Sequence, residues 1–291
     1  MSWRTVVISN TAKLDYQMGY MVVRKNELTK IHLSEIEMLI IESTSVSLTA
    51  ALLSELTKKK IKVIFCDEKR NPSSELIGYY GSHDTSSKVR KQIAWTEDVR
   101  KSVWTEIVTE KIRKQAAHLE FWRKSEVEIL YNYVNEMAFA DATNREGHAA
   151  KVYFNALFGM DFTRTAENAV NAALNYGYAL ILSAFNRCIV ANGYVTQLGL
   201  FHDNMFNQFN LACDLMEPFR PMVDLKVMQM APHLFEQEQK HEMITLLKSE
   251  VEIADRKEYL TNAIRIYTKS VFDALNDKDI SLIRFYRTNE L

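Results

Sequence analysis

The segment NPSSELIGYYGSHDTSSK, from Asn71 to Lys88, separates two parts of the sequence that have different apolar patterns. It concentrates Asn, Pro, Ser, Gly and Asp, which favour turns and contact with solvent. Apolar residues come in short runs before it and recur at helical spacing after it. We therefore predict an α+β protein of two domains: a small β-sheet domain with one helix over residues 1–82, and a larger all-α domain over residues 83–291.

The N-terminal part contains short runs rich in β-branched and aromatic residues, which are typical of strands. These runs are TVVIS at 5–9, YMVVR at 20–24, EMLIIES at 37–43, VIFC at 63–66 and LIGYY at 76–80. A hairpin is expected at Gly19, because glycine takes the positive φ of a tight turn. One helix is predicted from Ser47 to Lys60, where a stripe of leucines precedes three lysines in the last turn.

The C-terminal part favours long helices. Only 8 Gly and 4 Pro occur in the 291 residues, and no proline lies between Lys88 and Pro218. An apolar stripe at helical spacing predicts a helical stretch through 93–122. Further helices are predicted at roughly 125–139, 143–158, 167–191 and 256–275.

Composition excludes several classes of protein. The three cysteines are far apart and form no CxxC pair, so neither a disulfide framework nor a zinc finger is indicated. No apolar stretch approaches the roughly 18 residues of a membrane span, and the N-terminus does not resemble a signal peptide. The Walker A, GxGxxG, HExxH and GxSxG motifs are also missing from the sequence. We expect a cytoplasmic protein that does not associate with a membrane.

The net charge of −1 conceals a basic stretch at 88–124, which has ten basic and five acidic residues. Such a stretch can follow the phosphates of a DNA duplex. It can equally form a pair of solvated helices whose charges only keep the surface wet. The candidate DNA contacts in it are Lys88, Arg90, Lys91, Lys111, Arg113 and Lys114.

A first cluster of ionisable groups lies in TNREGHAAKVYFNALFG, which begins at Thr143. Arg145, Glu146 and His148 precede an apolar run, so a carboxylate would stand at the edge of the core. The alternative is a capping box, because Thr143 and Glu146 have the spacing with which a hydroxyl and a carboxylate satisfy the amides of a helix start.

A second cluster lies in QLGLFHDNMFNQFNLACDLMEPFRPMVD, which begins at Gln197. Asp214 and Glu217 would share one face of a helix, close enough to share a cation. A capping box that starts at Asp214 is again the alternative. His202 lies in a loop-like run whose Asn and Gln side chains can orient an imidazole, although a single histidine is more often only a satisfied polar residue.

Carboxylates together with one imidazole suit a hard divalent cation, Mg²⁺ or Mn²⁺, and the nitrogen ligand favours Mn²⁺. A zinc site would need more His or Cys. A bound Mg²⁺ or Mn²⁺ would activate an oxygen nucleophile and neutralise a phosphodiester. The two clusters therefore predict a metal-dependent enzyme that processes DNA.

The sequence resembles the CRISPR-associated integrase of type II systems, which inserts new spacers into a repeat array, along nearly its whole length. The segments that carry the resemblance are WRTVVISNTAKLDY, IHLSEIEMLIIES, VIFCDEKRNP, YYGSHDTS, NREGHAAKVYFNALFG, NAALNYGYALILS, QFNLACDLMEPFRPMVD and EYLTNAI. The family's metal site of a glutamate, a histidine and an acidic residue corresponds to Glu146, His202 and Glu217, with Asp214 as a further acidic position. Contacts around the metal or with phosphate are expected at Asn144, Arg145, His148 and Arg220, of which Arg220 can also pair with Asp214.

The resemblance implies an activity and a set of partners. The activity is attack by the 3′ hydroxyls of a short prespacer duplex on the edges of a CRISPR repeat, a metal-dependent transesterification accompanied by nuclease capability. The partners are double-stranded DNA, a second copy bound through the N-terminal domain, a dimer of a smaller adaptation protein in a heterohexamer, and further type II adaptation proteins. A nuclease acting on branched DNA and a non-catalytic DNA-binding scaffold are the alternatives.

Overall fold

The computed structural model describes residues 4–78 and 82–287, and the chain divides between His83 and Asp84, inside the polar segment that begins at Asn71. The unit before this division is rich in strands and the unit after it is mainly helical. The predicted α+β class, with its β-rich N-terminal and helical C-terminal parts, is therefore confirmed.

The first unit contains two sheets and a helix. Its strands are β1 (Arg4–Ile8), β2 (Ala12–Gln17), β3 (Tyr20–Arg24), β4 (Leu28–His32), β5 (Ile36–Ile41), β6 (Val46–Leu48), β7 (Lys62–Cys66) and β8 (Pro72–Leu76). One sheet has the order β1-β5-β7-β8, and the other has the order β4-β3-β2-β6. In the first sheet β1, β5 and β7 are parallel, while β8 runs antiparallel to β7. In the second, β2, β3 and β4 form an antiparallel meander and β6 joins β2 in parallel.

The predicted hairpin between β2 and β3 is confirmed. Gln17 pairs with Tyr20, and the two residues between them, Met18 and Gly19, have φ of 46° and 88°. Two positive φ values in a two-residue turn are those of a type I′ hairpin, whose twist matches that of the strands.

Two predicted element bounds in this unit are wrong. The helix α1 spans Ala50–Lys58 rather than starting at Ser47, because Val46–Leu48 pairs with β2 and the Thr49 hydroxyl caps the helix by accepting from the Leu52 amide at 3.3 Å. The last strand lies at Pro72–Leu76 rather than at 76–80, since its residues pair with β7. Tyr79, Tyr80 and Gly81 lie outside the described residues.

The second unit is built around one long central helix. Its helices are α2 (Thr85–Ile93), α3 (Glu97–Phe121), α4 (Val127–Asn135), α5 (Arg145–Phe158), α6 (Ala169–Ala191), α7 (Asn210–Leu215), α8 (Arg220–Met230), α9 (Gln237–Ile244) and α10 (Leu260–Asp277). Helix α3 packs against α4, α5, α8 and α10 and against a 3₁₀ turn at Glu217–Phe219. Its buried side chains include Trp104, Ile107 and Ile112, none more than 1% exposed. Among the described residues, no helix is long and apolar enough to cross a membrane.

The second unit is not all-α, contrary to the prediction. Strands β9 (Glu250–Ile253) and β10 (Arg256–Tyr259) form an antiparallel hairpin, and α10 consequently begins at Leu260 rather than at 256. Val251 and Ile253 are buried while Glu250 is exposed, which is the alternation of a half-buried strand. Ala254 and Asp255 form its two-residue turn, with φ of 51° and 59°.

This turn allows a stability prediction, because two non-glycine residues take positive φ there. Replacing the pair by Asn-Gly (Ala254→Asn with Asp255→Gly) is expected to stabilise the protein by about 0.5–1 kcal/mol, since Asn and Gly adopt the type I′ conformation at the lowest cost. The measurement is the thermal unfolding midpoint of the double variant against wild type. A lower midpoint would contradict the turn assignment.

Candidate active site

The first turn of α5 presents Glu146, and its backbone amides are satisfied by another residue. Asn144 precedes the helix with φ of 52° and makes no side-chain cap. The Asp141 carboxylate accepts instead from the amides of Arg145 at 2.6 Å and Glu146 at 3.1 Å. The capping box of Thr143 and Glu146 is therefore wrong, and the Glu146 carboxylate contacts Lys111 on α3.

Glu217 lies at the start of the 3₁₀ turn between α7 and α8, where the helical path breaks before Pro218. The following Phe219 is fully buried, with its ring 5.3 Å from that of Phe185 and 4.6 Å from that of Tyr286. The Tyr286 hydroxyl also donates to the Pro218 carbonyl at 3.0 Å. Aromatic packing thus fixes the turn that holds the Glu217 side chain.

The buried Glu217 carboxylate has two cationic neighbours. Arg220 Nε donates to Oε1 at 2.7 Å, and Lys111 Nζ lies 2.5 Å from Oε2. Burial raises the pKa of the Glu217 carboxyl, but Arg220 and Lys111 together outweigh burial and lower the pKa to about 2. Glu217 is therefore ionised at neutral pH. Arg220 pairs with Glu217 and not with Asp214.

Lys111 brings Glu146 and Glu217 together. Its ammonium contacts Glu146 Oε1 and Glu217 Oε2, so the two carboxylates lie on either side of a single cation. We call Glu146 and Glu217 the carboxylate pair. Lys111 is only 5% exposed, so the prediction that it lies on a DNA-contacting surface is wrong.

Asp214 orients His202 and is not placed to bind a metal ion. Its Oδ2 accepts from the amides of Leu200 at 2.6 Å and Phe201 at 3.0 Å. Its Oδ1 accepts from the His202 amide at 3.2 Å and contacts His202 Nδ1. This fully buried carboxylate is therefore engaged by four donors. The predictions that Asp214 is a metal ligand or a helix cap are wrong. The same bonds leave Nε2 of His202 as the ring nitrogen available to a ligand.

The loop before His202 depends on two further residues that sequence reasoning missed. At Gly199, a Cβ atom would lie 2.3 Å from the His202 carbonyl oxygen and 2.8 Å from Asp214 Oδ2, so no larger residue fits. The Phe201 ring stacks on buried Trp104, with 4.6 Å between centroids and 2° between planes. Gly199 could have been found from the sequence, because it is an isolated glycine three residues before His202.

His202 lies within electrostatic reach of the carboxylate pair. The hydrogen bond to Asp214 raises the pKa of the imidazole above its ordinary 6.5, burial opposes the increase, and the charges of Asp214, Glu217 and Glu146 add to it. Over residues 4–78 and 82–287, no three His, Cys, Asp or Glu side chains converge closely enough to hold a metal ion as placed. The cation between Glu146 and Glu217 is Lys111.

Arg145, His148 and Asn144, which were predicted to lie around the metal or to contact phosphate, contact other groups in the structure. Arg145 pairs with Glu136 at 2.6 Å and covers the Tyr133 ring, 5.1 Å from its centroid. His148 is exposed beside the same ring, and Asn144 holds the left-handed position before α5. No DNA or metal contact of these residues follows from this arrangement.

The predicted basic stretch is divided between surface and interior. Arg90 and Lys91 are exposed on α2, where Lys88 lies 3.8 Å from Asp84. Exposed Arg113 pairs with Glu110 on α3 at 2.5 Å. Lys114 is largely buried, donates to the Tyr286 carbonyl at 2.7 Å and contacts Glu110, so it does not belong to an exposed DNA face. The exposed candidates are therefore Arg90, Lys91 and Arg113, with Lys88 half-buried.

A buried hydrogen-bonded network that the sequence did not reveal lies behind Arg220. The Arg220 guanidinium covers the Tyr178 ring, 4.8 Å from its centroid, and the Tyr178 hydroxyl donates to Asp224. Burial raises the pKa of the Asp224 carboxyl from 3.8 to about 6, although the hydrogen bond from Tyr178 and the charge of Arg220 oppose the increase.

This raised pKa predicts a pH-dependent stability. Because the folded protein holds the Asp224 proton more tightly than the unfolded chain, the resulting stabilisation is complete below about pH 4 and is lost as pH rises through about 6. The free energy of unfolding of wild type relative to Asp224→Asn should fall by about 3 kcal/mol over that interval. Urea unfolding at pH 4 and pH 7 measures the difference, and a pH-independent difference would contradict the raised pKa.

The chain thus combines a β-rich unit with a helical unit that carries two facing glutamates and an oriented histidine. The family model described as CRISPR associated protein Cas1 matches residues 5–250. A protein named CRISPR-associated endonuclease Cas1, from Neisseria meningitidis serogroup C, is 38% identical over 239 residues, which cover 81% of this chain and 77% of that protein. The chain belongs to the Cas1 family.

Solved structures have the same fold at lower identity. A casposase bound to integration product has a TM-score of 0.77 and 17% identity, over 95% of this chain and 91% of that one. A chain of a Cas6-RT-Cas1–Cas2 complex has a TM-score of 0.74 and 16% identity over 96% of this chain. The match spans only 36% of that longer chain. At these identities the likeness concerns the fold.

Proposed function

We propose that this protein joins the 3′-hydroxyl ends of short DNA duplexes to the edges of a CRISPR repeat by metal-dependent transesterification. The observation that carries the proposal is the carboxylate pair assembled around one cation, with His202 oriented by Asp214 within electrostatic reach. Membership of the Cas1 family supports it, as does the shared fold of a casposase that was solved with its integration product.

The chemistry of the donor set suits a hard divalent cation, and a bound ion would draw the three side chains closer together than they now lie. Glu146 and Glu217 offer carboxylate oxygens, His202 offers Nε2, and the contact of Lys111 with both carboxylates indicates that their position suits a positive charge. Bound there, Mg²⁺ or Mn²⁺ would neutralise the charge that develops on a phosphodiester. Glu146, Glu217 and His202 are accordingly proposed as its ligands.

The residues of the chain have separate roles in this reaction. Asp214 keeps Nδ1 of His202 engaged, which leaves Nε2 as the free ring nitrogen, and Arg220 together with Lys111 keeps Glu217 ionised at neutral pH. The joining step breaks one phosphodiester bond and forms another. The number of phosphodiester bonds is unchanged, so the step needs no nucleoside triphosphate as an energy source. The 3′ hydroxyl loses its proton and the displaced oxygen of the repeat strand gains one.

The proposed partners follow from the family. They are the prespacer and repeat duplexes, a second copy of this chain, a dimer of the smaller Cas2 protein in a heterohexamer, and further type II adaptation proteins. A relative with the same fold was solved as part of a Cas6-RT-Cas1–Cas2 complex, which supports the association with Cas2. Exposed Arg90 and Lys91 are proposed phosphate contacts, because phosphate neutralisation supplies most of the affinity for duplex DNA.

A nuclease acting on branched DNA is the second candidate, because the similar protein from Neisseria is named an endonuclease. The same site would hydrolyse when water takes the place of the 3′ hydroxyl. The test incubates the protein and the smaller partner in Mg²⁺ or Mn²⁺, in one reaction with a labelled short duplex and a supercoiled repeat plasmid, and in a second reaction with a labelled branched duplex. Covalent transfer of label to the plasmid supports joining, whereas cleavage of a branched duplex without transfer would contradict the integrase proposal.

A further inference from the structure

Lys111 is a buried cation at the centre of the candidate site. It lies in the middle of α3 and its side chain is 7% exposed. Lysine is almost never fully buried unless it is paired, because removing an ammonium from water is costly. Here the pairing is with both members of the carboxylate pair.

The two cations of the site, Arg220 and Lys111, contact different carboxylate oxygens. Arg220 contacts Oε1 of Glu217, while Lys111 contacts Oε2 of Glu217 and Oε1 of Glu146. Each oxygen of Glu217 therefore has its own cation, and Lys111 joins the two carboxylates to each other. Removing Lys111 would leave two like charges facing one another, one on buried Glu217 and one on half-buried Glu146, where Coulomb repulsion is less screened than at an open surface.

A divalent metal bound between the two carboxylates would compete with Lys111 for the space between them and for the oxygens that it contacts, Glu146 Oε1 and Glu217 Oε2. An ammonium and a divalent cation held at those oxygens repel each other, so each weakens the binding of the other. Lysine can leave without any movement of the helix, since its ammonium stands on a flexible four-carbon stem.

We propose that Lys111 is a resident counter-cation that competes with the divalent metal for Glu146 and Glu217 and thereby sets the affinity of the metal. This inference rests on the proposed metal-dependent function. Metal binding then exchanges one cation for another at the carboxylate pair.

The test measures Mn²⁺ affinity by isothermal titration calorimetry on the full chain, without DNA. Lys111→Met retains length and removes the charge, and it should bind Mn²⁺ about tenfold or more tightly than wild type. Its unfolding temperature without metal should fall, and Mn²⁺ should raise it by more than in wild type. Lys114→Met is the matched control, a largely buried lysine on the same helix whose contacts are Glu110 and Tyr286, and its Mn²⁺ affinity should equal that of wild type. An unchanged or weaker Mn²⁺ affinity of Lys111→Met would overturn the proposal.

A second measurement uses only the wild-type protein, in case Lys111→Met does not fold. A crystal structure with Mn²⁺ should show Lys111 Nζ withdrawn from the carboxylate pair, and Nζ still bonded to both carboxylates beside a bound Mn²⁺ would overturn the proposal. Wild type that binds no Mn²⁺ would contradict the proposed metal-dependent function together with this inference. Wild type that binds Mn²⁺ with the same affinity as Lys111→Met would contradict this inference alone.

Discussion

Replacing Asp214 by Asn is expected to lower DNA joining by about 10–100-fold, because the residue that orients a metal-binding histidine typically has an effect of that size. The Asn side chain has the same shape as that of Asp, but its NH₂ group would face the hydrogen-bond donors that now surround the carboxylate. The Asp214 carboxylate accepts from three backbone amides and from His202 Nδ1, and an Asn side chain cannot accept all four bonds. We expect the free energy of unfolding to fall by about 3 kcal/mol.

The control for this prediction is Asp203→Asn, an exposed aspartate next to His202. It removes the same kind of charge from a residue adjacent to His202 and should leave both joining and stability close to wild type. The measurements are the initial rate of joining and the midpoint of urea unfolding. Equal activity of Asp214→Asn and Asp203→Asn would show that Asp214 does not orient the histidine.

Replacing Glu217 by Gln is expected to abolish most of the activity and to destabilise the fold. The substitution leaves Lys111 and Arg220 beside a neutral group, and removing one partner of a buried ion pair costs about 3–5 kcal/mol. Because Glu217 is also a proposed metal ligand, we expect joining to fall by about 10²–10³-fold even at saturating Mn²⁺.

Glu242→Gln is the matched control for Glu217→Gln, since Glu242 pairs with Lys226 on the surface at 2.9 Å. Exposed ion pairs contribute little, so this variant should behave as wild type. Thermal unfolding without metal and joining at several Mn²⁺ concentrations separate the two effects. A Glu217→Gln protein with wild-type joining would contradict its assignment to the site.

Local patterns revealed the elements that are stabilised by nearby residues. The β2–β3 hairpin follows from Gly19, which lies between two apolar runs. The hairpin of Glu250–Tyr259 was missed because it contains only a few buried residues and its turn, Ala254–Asp255, has neither Asn nor Gly at its first position. The start of α1 was misplaced because Val46–Leu48 is held by pairing with β2, a contact between distant parts of the sequence.

In the candidate site, too, the sequence did not reveal contacts between distant residues. The sequence identified Glu146, His202 and Glu217 by residue type and resemblance, but spacing could not separate a ligand from a supporting residue. Asp214 was grouped with Glu217 on helical spacing, whereas α7 ends between them and the Asp214 side chain contacts the loop of His202.

Lys111 was read as part of a basic surface because charge counting along the sequence ignores which face of a helix is buried. Its partners lie 35 and 106 residues away, and contacts over such separations depend on tertiary packing. The same basic stretch also includes Arg90 and Lys91, which are exposed. A net charge therefore does not distinguish solvated residues from buried ones.

We propose that Glu146 belongs to a metal-dependent centre that joins DNA. The most direct measurement compares wild type with Glu146→Ala in the joining assay, with the smaller partner present, in Mn²⁺ and in excess chelator. We predict joining by wild type in Mn²⁺ only, and none by Glu146→Ala under either condition. Joining by Glu146→Ala at the wild-type rate, or joining by wild type in the presence of chelator, would contradict the claim.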